Sequence, residues 1–124
     1  DLNRLTLLIA VLEKRTKLNL SDKDIFINVV GGLRLVDPAA DLAVCMAVAS
    51  AAAERTLADD LVVFGEVGLG GEVRRVGSIE LRVKEAKKLG FKHAIAPASK
   101  DGGTFVSPVS DLRDALNLHL TKNN

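Results

Sequence analysis

A chain of 124 residues, 48% hydrophobic and 27% charged, has the length and balance of one globular domain with a real core. A net charge of +1 excludes a global pull toward nucleic acid, so any electrostatic site must be a local patch. The single cysteine, Cys45, excludes a disulfide framework and is compatible with a reducing cytoplasm. No apolar run approaches the ~18 residues of a membrane span, and no signal peptide is visible.

The chain starts at Asp1 and enters a helical pattern at once, which reads as a fragment of a longer protein. Leu2, Leu5, Leu8, Ile9 and Leu12 fall on one stripe of a helix over 2–15. Lys14, Arg15 and Lys17 follow where cations suit its dipole. After a polar turn at 19–23, Ile25 to Val30 reads as a strand with Asn28 the polar interruption. Gly31-Gly32 bends it, and Leu33-Arg34-Leu35 alternates like an extended segment.

Asp37-Pro38 is a helix start, with Asp as N-cap and Pro at the first helical position. That helix is expected to reach about Arg55. It is rich in alanine and carries Leu42, Val44, Met46 and Val48, so it has little polar face and predicts a buried core helix. Cys45 and Met46 are core residues on this reading.

Leu61 to Phe64 is an apolar run suited to a buried strand. Gly65, Gly68, Gly70 and Gly71 follow, and Glu72 to Val76 returns, which predicts a β-hairpin with its tip at 68–71. The glycine spacing fits neither a dinucleotide fingerprint nor a P-loop. From Gly68 and Gly70 the last position falls on Val73, and no Lys-Ser/Thr follows. Ser78 can cap a helix over 79–89, with Ile79, Val83, Ala86 and Leu89 buried and Gly90 beyond its end. Arg82 projects on the buried side of that helix; Lys84, Lys87 and Lys88 project away. A short strand at 93–97, a loop at 98–103, a strand at 104–106 and a C-terminal helix with Leu112, Ala115 and Leu116 complete the chain, and 121–124 is expected to fray. The fold class is α+β: one domain with a small mixed sheet, a buried Ala-rich helix and flanking helices.

Four separated segments carry a family likeness: NRLTLLIAVLEKR, DIFINVVGGLRLVDPAADLAVCMAVAS, GEVGLGGEVRRV and AKKLGFKHAIAP. In order and spacing they resemble the C-terminal Lon protease-like domain of the bacterial RadA (Sms) DNA-repair family. The resemblance implies the Lon proteolytic-domain fold, assembly into a hexameric ring, and a parent protein with a zinc finger and a RecA-like ATPase upstream. ATP, Mg and Zn then belong to the parent and no cofactor to this domain. Lon proteases use a Ser nucleophile in a Gly-Pro-Ser-Ala-Gly motif and a Lys base. The matching segment here is Asp37-Pro38-Ala39-Ala40-Asp41, so the nucleophile position is Ala39, and the Lys position falls on Arg82. A methyl group cannot attack, and a guanidinium cannot act as a base.

Two functions from different classes follow. One is a non-proteolytic scaffold domain of a DNA-processing ATPase, with Arg34, Arg74, Arg75, Lys84, Lys87, Lys88 and Lys92 as candidate DNA contacts; for the lysines a solvated helix face is the competing and commoner reading. With no aromatics among these, contact should be to phosphate. The other is an active Ser/Lys peptidase or another hydrolase using other residues. Glu66, His93 and His119 read as structural or solvent-facing, and no metal-ligand spacing is present. Arg82 on a buried face needs a carboxylate; Asp37 and Asp41 flank Ala39, and Asp41, one turn into the helix, is the expected partner.

Overall fold

The computed structural model describes residues 2–26 and 37–122. Helix α1 spans Leu2–Arg15. Its buried side is Leu8, Val11 and Leu12, while Leu2 at the head of the expected stripe is 76% exposed. Ile25 and Phe26 join no strand, against the expectation for 25–30. The remainder of that expectation, with Gly31-Gly32 and Leu33-Arg34-Leu35, lies outside the described residues.

The Asp-Pro start unfolds in two stages. Pro38–Ala40 forms a turn of 3-10 helix, and the Asp37 carboxylate accepts the Ala39 N–H at 2.9 Å. Helix α2 then runs Asp41–Ala53. It stops before Arg55 because Glu54 turns left-handed at φ 53° and closes the helix as its C-cap. Leu42, Cys45, Met46 and Ala49 are buried, but Ala47 and Ala51 are exposed. The helix is apolar all round yet covered on one side only by the described residues. Its other side, with Leu20, Ile25 and Phe26, lines a groove of about 830 Å³.

The strands are β1 (Arg55–Thr56), β2 (Leu61–Val63), β3 (Glu66–Val67), β4 (Val73–Arg74), β5 (His93–Ala96), β6 (Val106–Pro108) and β7 (Thr121–Lys122). Helix α3 spans Ile79–Lys88 and α4 spans Leu112–His119. Instead of one mixed sheet, the described strands form a parallel sheet in the order β2-β5-β6 and two antiparallel pairs, β3-β4 and β1-β7. The class remains α+β. The apolar run and the hairpin thus part at Phe64-Gly65: β2 enters the parallel sheet, and only residues beyond Gly65 form the hairpin. The expected fraying from 121 is also corrected, since Thr121 and Lys122 pair with Thr56 and Arg55.

Three further expectations shift. Ser78 sits at the N-cap of α3 but turns left-handed, at φ 61°, and its hydroxyl makes no capping bond. Leu89 is 72% exposed instead of buried. The last parallel strand runs Val106–Pro108 instead of 104–106, and Asp111 caps α4 by accepting the Asp114 N–H at 2.8 Å.

Two apolar clusters result. The larger joins α1, α2 and α4 through Leu8, Leu12, Leu42, Met46, Leu112 and Ala115, with Val67 from the hairpin and Ile95 from the sheet. The smaller fills the space between α3 and the parallel sheet, around Phe64, Val83, Ala94 and Phe105.

Gly65 joins the two regions. Its N–H donates to the Ala39 carbonyl at 2.8 Å, and its own carbonyl accepts the Leu42 N–H at 3.0 Å. A Cβ there would lie 2.9 Å from Val73 Cγ1 and 3.3 Å from Pro97 Cδ. Gly65→Ala should therefore cost about 1–3 kcal/mol of stability, read as a lower urea midpoint with an unchanged slope. An unaltered midpoint would contradict this packing.

Candidate functional site

The segment Asp37 to Asp41 is held against the root of the hairpin by the two Gly65 bonds. Ala39 is 4% exposed, and its methyl lies within the fold. Arg82, on α3, reaches this turn. Its Nε donates to the Gly77 carbonyl at 2.8 Å, and its Nη2 donates to Asp37 Oδ2 at 3.2 Å. The guanidinium also stands over the Phe64 ring, 6.0 Å from its centroid. Its side chain is 32% exposed, so it sits at the rim and not in the core.

The expected Arg82–Asp41 pair is not formed. Asp41 is 4% exposed and belongs to Arg4 of α1. Arg4 Nε donates to Asp41 Oδ1 at 3.1 Å, Arg4 Nη2 donates to Oδ2, and the Val67 N–H donates to the same oxygen at 3.1 Å. Arg4 Nη2 lies 3.5 Å from the Val67 carbonyl as well. Arg4 wins because α1 lies directly against α2, whereas Arg82 approaches from beyond the 3-10 turn and meets Asp37 first. The hydrogen bond to Asp41 raises the Arg4 pKa above its ordinary value against the opposing effect of burial, with the Asp41 charge adding to the rise. Nothing in the sequence reading singled out Arg4. The available signal was its place on the α1 face that carries Leu8, Val11 and Leu12, where a lone guanidinium requires a carboxylate.

Asp37 has its pKa lowered from 3.8, first by the Ala39 N–H and then by Arg82. Both favour the charged carboxylate and the positive end of the 3-10 turn suits it. Cys45 is no nucleophile: burial first, then the charge of Asp41, pushes its thiol up to about 12. His119 lies 3.3 Å from Ser107 Oγ, and burial lowers its pKa. No carboxylate among the described residues orients this imidazole, so the pair lacks the third member of a hydrolytic triad. His93 is exposed at the start of β5. Among the described residues no group of three His, Cys, Asp or Glu side chains could hold a metal ion, and no helix is long and apolar enough to cross a membrane.

The basic candidates separate by partner. Arg74 is engaged by Glu72 at 3.1 Å and by Glu66 at 3.7 Å. Lys87 Nζ stands 5.4 Å from the Phe105 centroid. Arg75, Lys84, Lys88 and Lys92 are exposed and form no ion pair among the described residues. Arg34 lies outside them. Glu72 also turns back to accept the Gly70 N–H at 3.0 Å, so the acid at the hairpin tip is structural.

Two outcomes follow from this geometry. Breaking the Arg4–Asp41 pair with Asp41→Ala and Arg4→Met, singly and together, should give a coupling energy of about 2 kcal/mol in urea denaturation. This lies below the range for a fully buried pair because Arg4 is 38% exposed. Additive losses would refute the pair as a stabilising unit. Asp37 acts on the acid limb. Its stabilising contribution is complete above the ordinary carboxylate value of 3.8 and disappears as pH falls through the lowered one. Asp37→Asn should therefore flatten the fall of melting temperature at acid pH while a neutral-pH comparison keeps the fold in view.

Comparison with known proteins places this geometry in context. The "DNA repair protein RadA" of Aquifex aeolicus is 50% identical over 119 residues, covering 94% of this chain and 27% of that protein. The protein of the same name from Chlamydia pneumoniae is 50% identical over 98% of this chain and 26% of its own length. That of Escherichia coli is 46% identical over 94% and 26%. The chain spans about a quarter of the length of these curated relatives. A family model, ChlI, described as "Subunit ChlI of Mg-chelatase", matches residues 7–100, most of the chain, and it is to this ChlI family that the chain belongs.

Proposed function

We propose that this chain is a non-proteolytic, Lon-like scaffold domain of a RadA-type DNA repair and recombination ATPase. It supports ring assembly, as a hexamer, and contacts DNA. The repair reading rests on relatives that match nearly the whole chain and carry that name; the magnesium chelatase of the family description stays with the protein so described. ATP, Mg and Zn belong, on this reading, to the remaining three-quarters of the relatives' length and not to this domain.

One observation carries the non-proteolytic part. The positions that would hold nucleophile and base are a buried methyl group, Ala39, and a guanidinium, Arg82, bound to Asp37 and the Gly77 carbonyl. Neither can take or give a proton in acyl transfer. Restoring the residue types does not restore the chemistry, because a Lys beside Asp37 is held protonated by that charge.

Incubation with unstructured casein should yield no fragments, either from the chain or from an Ala39→Ser, Arg82→Lys double variant that retains its thermal melt. Time-dependent cleavage by the purified chain, abolished by mutating a residue of the chain, would establish the hydrolase instead. For assembly, light scattering at high concentration should give a mass above the 13.2 kDa of one chain. A monomer at all concentrations would remove ring formation from the functions of this domain alone.

A further inference from the structure

Of the six cationic groups on the hairpin and on α3, three are engaged, while Arg75, Lys84 and Lys88 form no ion pair among the described residues. Arg74 serves Glu66 and Glu72, Arg82 serves Asp37, and Lys87 lies on a ring. Arg75 and Lys100 have no carboxylate partner among the described residues, although they come from different parts of the chain. They meet at one cavity of about 230 Å³, whose floor is apolar, from Ile79 and Pro97, and whose rim is Arg75, Ser99, Lys100 and Asp101. Ser99 is fixed there, for its hydroxyl oxygen accepts the Asp101 N–H at 3.2 Å. That bond uses a lone pair and leaves the hydroxyl proton free to donate. The rim therefore offers a guanidinium, an ammonium and a hydroxyl proton against one carboxylate, Asp101, a net positive donor set beside the apolar side chains of Ile79 and Pro97.

We infer that this cavity is a phosphoryl-oxyanion site, with Arg75, Lys100 and Ser99 as donors, and that it receives a backbone phosphate of a DNA strand. The source of the phosphate rests on the DNA-contact reading above; the oxyanion chemistry does not. Arg suits two phosphate oxygens at once, and Lys adds a point charge. Asp101 opposes the bound anion and sets a limit on affinity. Arg74, one residue from Arg75, is excluded because two carboxylates already hold it. No base edge can be read from such a cavity, so contact there positions the strand without specifying sequence.

The test is a salt series of duplex binding by this chain, followed by anisotropy of a labelled duplex. Variants are Arg75→Glu, Lys100→Glu, Asp101→Asn and, as comparator, Arg74→Gln. Arg75→Glu and Lys100→Glu should each reduce the slope of log affinity against log salt by roughly one unit. Asp101→Asn should tighten binding, a gain that misfolding cannot produce, and Arg74→Gln should leave the slope in place. Unchanged slopes in the Arg75 and Lys100 variants overturn the site, and so does an equal fall with Arg74→Gln, which would mark a general effect of surface charge. If the unaltered chain binds no duplex, the DNA reading fails by itself, and inorganic phosphate decides the cavity. Amide shifts at Ile79, Ser99 and Asp101 on phosphate titration, lost in Lys100→Glu, support the oxyanion site; no shift there overturns it.

Discussion

The buried carboxylate of Asp41 is the constraint on which the fold's geometry depends. A charge removed from water is tolerated only when its oxygens are filled, and here three donors from two other elements fill them. Arg4 brings α1, Val67 brings the hairpin, and Asp41 itself opens α2. Apolar packing alone could slide these elements past each other, since leucine and alanine surfaces fit in many registers. The three bonds select one. Asp41 also lies in the first turn of α2, where a negative charge is favoured by the helix dipole.

Asp37 and Asp41 are close in sequence and have different outcomes. Asp37 and Asp41 bracket a buried alanine, yet each takes its own arginine. The outer acid holds Arg82 at a solvent-facing rim; the inner acid holds Arg4 across a helix contact. Exposure separates their value: a rim pair in water is screened and contributes little, while the inner pair orders three elements. Arg82 gains in addition from the Gly77 carbonyl and the Phe64 ring, so its position is defined by more than its charge.

Local signals in the chain carried the elements well where the cause was local. The α1 period, the Asp-Pro helix start, the glycine hairpin and the α3 stripe through Ala86 all depend on neighbours in sequence, and they stand in the structure near their expected bounds. What could not be seen depends on contacts distant in the chain. The division at Gly65 between a parallel strand and a hairpin is set by β5 on one side and by the 3-10 turn on the other. The choice of Arg4 over Arg82 for Asp41 is set by which helix lies nearer. The tie between β1 and β7 involves two short segments without strand-like alternation, and only their meeting makes them strands. The candidate site divided in the same way. Ala39 and Arg82 could be named from the order of motifs, but Lys100 could not, because its relation to Arg75 exists only across the folded loop.

The same β1–β7 pair bears on how the domain comes into being. Arg55 and Thr56 leave the end of α2, directly after the left-handed Glu54, and their ladder partners are Lys122 and Thr121. Pairings so distant in sequence carry a large loop-closure entropy before they return any bond. During synthesis α2 is therefore complete long before the strand that secures its exit has been made. Until β7 emerges, β1 offers an unpaired edge beside an apolar helix, the combination that invites mispairing with another chain. Closure waits on a strand made well after α2, which makes the interval between the two a factor in how much of the product folds correctly.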